Sequence, residues 1–181
     1  GASFTAFTPI RESGGEGPTL LGDFSWHELM TRDWPAAFGF YQALFGWEKT
    51  ESMDMGPEAG MYQMFGWPGK SLGGMMNKPP QVSAPPHWLP YALVADCRKL
   101  VDTVIGAGGS ILHGPMEVPG GDWVVQIMDP QGAVFAIHSR KPEQRPKQSA
   151  PPAAKPAAVK KPAAKTPAVK TTSYPPLALG K

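Results

Sequence analysis

One cysteine in 181 residues, Cys97, leaves no partner for an intrachain bridge, so a disulfide scaffold is excluded and nothing points to an oxidising compartment. Runs of 18 apolar residues are missing too, which excludes a membrane-spanning helix of ordinary kind. The first twenty residues lack the basic start and apolar stretch of a secretory signal, and a cytoplasmic protein with no membrane partner is the expectation. Phosphate loops, a GxSxG elbow, CxxC pairs and paired-carboxylate signatures are all lacking.

Charge is sparse and unevenly placed. The chain has 17 Lys+Arg and 15 Asp+Glu, but residues 141–181 hold nine of the bases and one acid, Glu143. A body of charge −6 therefore carries a tail of +8, and the net +2 describes neither. The stretch from Pro151 to Lys170 is low-complexity Ala/Pro/Lys, similar in composition to linker-histone tails. Its recurring prolines forbid a long helix, and it has too little apolar surface to order itself. A polyanion such as nucleic acid is one partner for such a tail. The alternatives are a solubilising extension, or an arm anchored on an acidic body by Tyr174, Leu177 and Leu179.

What remains divides into an irregular lead-in, residues 1–21, and a body, residues 22–140. In the body, Phe24, Trp26, Glu28 and Met30 alternate with polar and apolar neighbours as a strand. Asp33 stands as an N-cap, Pro35 falls in the first turn, and Trp34, Ala37, Phe38, Tyr41, Leu44 and Phe45 recur at helical spacing to Gly46. Strands are expected at Trp47–Ser52, Met61–Trp67 and Ser71–Asn77, followed by a proline-rich linker. The pattern then repeats. A strand at His87–Ala95 precedes Asp96, an apolar helical face (Cys97, Leu100, Val101, Val104, Ile105) and Gly108-Gly109. Three strands follow at Ser110–His113, Asp122–Asp129 and Ala133–Ser139, with Gly114-Pro115 expected as a turn. Asp33 and Asp96, Phe38 and Val101, Tyr41 and Val104, and Gly46 and Gly109 all stand 63 apart. This predicts an α+β fold of two βαβββ modules, residues 23–78 and 87–139, paired into a curved, cup-shaped mixed sheet with the helices outside.

The strings Trp26-His27-Glu28-Leu29-Met30-Thr31-Arg32-Asp33 and Phe38-Gly39-Phe40-Tyr41-Gln42-Ala43-Leu44-Phe45-Gly46-Trp47, with Asp129-Pro130-Gln131-Gly132 before the last strand, resemble the vicinal-oxygen-chelate superfamily. That superfamily contains glyoxalase I, bleomycin-resistance proteins and extradiol dioxygenases. The resemblance spans about residues 23–139. It implies a small-molecule ligand in the cup and a dimer, and in the family's enzymes a divalent metal on four side chains. Those seats fall here on Trp26, Gly73 or Gly74, Pro90 or Leu89, and Ala136, none of which can ligate. Glu28 with His138 is the one fallback pair for a metal, and no cofactor is expected.

Glu28, on the strand face of Trp26 and Met30, is read either as a catalytic base or ligand acceptor of raised pKa, or as a satisfied structural group. Trp26, Glu28, Tyr62, Met75, Trp88, Tyr91, Trp123 and Gln126 are the expected ligand-binding wall. His27 is expected packed or at the surface, His87 and His113 solvent-facing, and Cys97 packed. Pro119-Gly120-Gly121-Asp122 is either a loop over the mouth or an ordinary turn. The readings in play are a metal-free binding protein, a lyase or isomerase of small carbonyl compounds using Glu28 as base, and a domain tethered by its basic tail.

Overall fold

Asp33 starts the first helix as its sequence predicts: its carboxylate accepts from the Ala36 N–H at 3.1 Å, and Pro35 lies in the first turn. The helix α1 (Trp34–Phe45) ends where Gly46 takes the left-handed φ of 67° and its N–H returns to Gln42 O. The computed structural model describes residues 1–6 and 18–141, so the lead-in is described only in part and the tail beyond Lys141 lies outside the described residues. Among the described residues no helix is long and apolar enough to cross a membrane.

The element order is β1 (Phe24–Thr31), α1, β2 (Glu48–Asp54), β3 (Met61–Trp67), β4 (Lys70–Asn77), then β5 (His87–Leu93), a 3-10 turn (Cys97–Leu100) running into α2 (Val101–Gly106), β6 (Ser110–Glu117), β7 (Trp123–Met128) and β8 (Val134–Ser139). The fold is α+β, with one open eight-stranded mixed sheet in the order β2-β3-β4-β1-β5-β8-β7-β6. Each half is a βαβββ unit, and the halves join within one chain through the antiparallel β1–β5 pair. β4 lies parallel to β1, and β8 parallel to β5, so the same arrangement occurs twice around the seam.

The helices lie on one face of the sheet. Leu29, Phe38, Tyr41, Phe65 and Met75 form a buried core beneath α1, and Cys97, Val125, Ile127 and Ile137 form its counterpart beneath the second helical segment. Burying each large apolar side chain fully contributes about 1.5–3 kcal/mol. Of the predicted α1 stripe, Phe38 and Tyr41 are buried, but Leu44 is 53% exposed: the covered arc is narrower than the apolar one.

The second helix departs from the first. Asp96 caps it through Arg98 N, but the segment opens as a 3-10 turn, so Cys97 is fully buried while Ile105 is 57% exposed. Ser110–His113 was expected to stop at Gly114-Pro115. Instead β6 continues to Glu117, with register shifts on either side of His113. β6 is an edge strand, where a missing proline N–H removes no obligatory ladder bond and irregular register is tolerated.

Candidate functional site

Side chains alternate across a strand, so β1 divides its residues between two environments. Leu29 enters the α1 core, while Trp26 and Glu28 point to the helix-free face. There Trp26 packs with Leu89, Tyr91, Ala136 and Val124 from β5, β8 and β7. The register pairs Trp26 with Tyr91 and Glu28 with Leu89. Glu28 and Tyr91, 63 residues apart and equivalent in the two modules, thus lie diagonally across the seam, and the Tyr91 hydroxyl donates to Glu28 Oε2 at 3.2 Å.

Tyr62 comes from β3. Its hydroxyl accepts from Trp26 Nε1 at 2.9 Å, and its ring leans over Gly74, where a Cβ would sit 2.1 Å from the ring. Only glycine at position 74 admits that approach. Gln126 is a further hydrogen-bond neighbour of the Tyr91 hydroxyl. Trp26, Glu28, Tyr62, Tyr91 and Gln126 therefore make one continuous polar-aromatic cluster across the joined modules.

Glu28 is the buried charge of this cluster. Among the described residues Oε1 has no hydrogen-bond partner. Loss of solvent pushes the carboxyl from the usual range up to about 7, against the opposing pull of Tyr91 and, more weakly, of Tyr62. Burial, and then the Glu28 charge, hold both tyrosine hydroxyls above their ordinary range, so both remain protonated donors. A carboxyl that titrates near neutrality, with one oxygen unsatisfied, has the chemistry to take a proton or to accept a hydrogen bond from a ligand.

Three expected wall residues stand elsewhere. Met75 is buried in the α1 core, Trp88 packs against that core and donates to Tyr41 Oη at 3.2 Å, and Trp123 lies against the Cys97 core with the Arg98 guanidinium over its ring. Trp88 and Trp123 each stand three strand positions from a cluster residue, and Met75 stands one from Gly74, which sends all three to the helix side. A cavity of about 460 Å³ opens on that side, lined by Phe4, Tyr41, Phe45, Trp47, Phe65 and Trp88 among others. His27 also borders it, while His87 is half-buried with Nδ1 at Pro85 O, and His113 is exposed. Cys97 is buried, and desolvation raises its thiol pKa.

The pairings also show on which face the four seats that the resemblance implies would fall. Gly74, Leu89 and Ala136 stand with Trp26 on the helix-free face, while Gly73 and Pro90 alternate away from it. An indole, a hydrogen, an isobutyl and a methyl group offer no donor atoms for a divalent ion, and the Tyr62 ring fills the space above Gly74. These residues do not fit a chelated metal. Among the described residues no group of three His, Cys, Asp or Glu is placed to hold one. His138 shares this face with Ala136, but its ring nitrogens are directed at Ser25 and Asp122.

With this geometry, residues 24–137 match the family model described as Glyoxalase/Bleomycin resistance protein/Dioxygenase superfamily. The chain belongs to that superfamily. A Mycobacterium tuberculosis (strain CDC 1551 / Oshkosh) protein provisionally named glyoxylase CFP32 is 32% identical over 132 residues, covering 71% of this chain and 49% of that protein. The anthracycline biosynthesis protein DnrV of Streptomyces peucetius is 31% identical over 128 residues, covering 62% and 45%. The chain thus spans about half the length of the curated relatives it matches. Among solved structures, a methylmalonyl-CoA epimerase in complex with methylmalonyl-CoA and NH4+ superposes with a TM-score of 0.53 at 14% identity, over 70% of this chain and 100% of that one. The Mycobacterium tuberculosis methylmalonyl-CoA epimerase gives 0.52 at 12%, over 71% and 95%. At such identities the likeness is one of fold.

Proposed function

We propose that this superfamily member binds a small organic molecule on the helix-free face, without a chelated metal, between Trp26, Tyr62, Tyr91 and Gln126 and against the carboxyl of Glu28. The observation that carries this reading is the buried Oε1 of Glu28, which among the described residues has no hydrogen-bond partner, the Tyr62 hydroxyl only lying near the carboxyl, while its sister oxygen is satisfied by Tyr91. A buried acceptor left open costs about 1–3 kcal/mol, and a ligand donor placed against it recovers that cost. The metal-free part rests on the donor-poor seats at Trp26, Gly74, Leu89 and Ala136. Elemental analysis of protein purified without chelator tests it: transition metal well below one ion per chain is expected, and one stoichiometric ion lost on Glu28→Gln would overturn it.

A second reading is favoured by the carboxyl titrating at about 7. In it Glu28 serves as a general base that removes a proton next to a carbonyl, as a lyase or isomerase of small carbonyl compounds requires. The epimerases that share this fold make an acyl-CoA with an exchangeable α-proton, such as methylmalonyl-CoA, a suitable probe. Deuterium should enter the α-position in heavy water with the native chain and not with Glu28→Gln. No incorporation by the native chain removes this reading and leaves the binding role standing.

A further inference from the structure

A second constellation stands at the edge of the same face, on residues that the Glu28 cluster does not use. Ser25 Oγ of β1 lies 2.6 Å from His138 Nε2 of β8, and His138 Nδ1 faces Asp122 Oδ2 at 3.9 Å, just before β7. Asp122 is steadied by its other oxygen, Oδ1, which accepts from the Lys141 N–H at 3.2 Å. All three side chains are half-buried, neither sealed in the core nor fully hydrated.

This meeting depends on an irregularity in the sheet. Strict alternation would turn Ser25 away from Trp26, but the β1–β5 register shifts between Phe24 and Trp26. A bulge of that kind re-aims a side chain. Here it carries the Ser25 hydroxyl past β5 to His138, which keeps the face of Ala136 by its spacing of two. The Tyr91 ring stands edge-on to the His138 ring with centroids 6.4 Å apart, giving the imidazole an aromatic neighbour.

We propose that Ser25, His138 and Asp122 form an acyl-transfer site for small activated carboxylic esters. The roles follow from the order of the contacts: Ser25 is the nucleophile, His138 the base, and Asp122 the group that holds the ring with its Nδ1–H outward. The Ser25 oxygen attacks the ester carbonyl carbon while its proton passes to His138 Nε2. The carbon–oxygen bond to the leaving group then breaks, and that alcohol departs with the proton. Water attacks the acyl-serine, gives its proton to His138, and Ser25 leaves as it regains a proton, so one ester and one water yield one acid and one alcohol. The groups facing His138 are Ser25, Asp122, the Tyr91 ring and the nearby charge of Arg140. Burial and Arg140 lower the imidazole pKa, Asp122 opposes them, and the outcome is a ring kept neutral and able to accept a proton at pH 7. The 3.9 Å spacing to Asp122 is long for a hydrogen bond, as such contacts often are without substrate.

The test uses the full chain and a fluorophosphonate probe, which captures an activated serine covalently. Peptide mass mapping should place a single adduct on Ser25, absent from Ser25→Ala and formed roughly a hundredfold more slowly in His138→Gln. p-Nitrophenyl acetate turnover should fall in the same order. Asp122→Asn supplies a second variant on a half-exposed loop, which keeps the oxygen that accepts from Lys141. Slower labelling at an unchanged melting temperature supports the assignment. A native chain that leaves Ser25 unlabelled, or labelling equal in native, His138→Gln and Asp122→Asn proteins, overturns it.

Discussion

A single carboxyl decides much of this protein's acid–base behaviour. Glu28 has its pKa raised in the folded state, so the fold favours its protonated form. The stability linked to that proton is complete below the unfolded value near 4.5 and is lost as pH rises through about 7. Urea unfolding of the native chain should therefore show stability falling between pH 5 and pH 8, by up to about 3 kcal/mol from this group. Glu28→Gln retains an acceptor for Tyr91 but cannot ionise. It should flatten that slope and exceed the native chain in stability at pH 8, and equal slopes would mean that Glu28 is solvated. The residue was legible from its place between Trp26 and Met30. Its partners were not, because Tyr91 reaches it from 63 residues away and Tyr62 from another strand.

At the scale of elements, capping chemistry held better than helix form. Asp33→Ala removes the acceptor for Ala36 N and should cost about 1 kcal/mol in chemical denaturation, with no change in the Glu28-dependent pH slope. A larger loss accompanied by an altered slope would place Asp33 in the site rather than at the cap. Asp33 and Asp96 repeat at a spacing of 63 and both cap, because a cap is a contact over two or three residues that sequence order alone can supply. Strand extent was less legible. Gly114-Pro115 reads as a turn in isolation, yet it sits within an edge strand that has one neighbour to satisfy. The wall residues divided for a related reason. Met75, Trp88 and Trp123 suit a ligand cavity by composition, but a side-chain period of two placed them under the helices.

For the whole molecule, two parts of opposite sign share one chain. The body up to residue 140 carries −6 and the tail +8, and a cationic segment binds polyanions in proportion to the counterions it releases. The full chain should be retained on heparin at low salt and elute early as salt rises, and removal of residues 141–181 should abolish retention. Equal retention of both forms would leave the basic tail without that role.

Sequence alone determined the two modules and their caps, since these rest on local hydrogen bonds and periodicity, and residue type left the seats that the family resemblance implies without donor groups. Tertiary structure alone decided which aromatic side chains meet Glu28, that Tyr62 occupies the space above Gly74, and that Ser25 finds His138 113 positions away. The physical reason is register: sliding or bulging one strand by a single residue exchanges its two faces, and that choice is made by the neighbouring strands, not by the strand's own sequence.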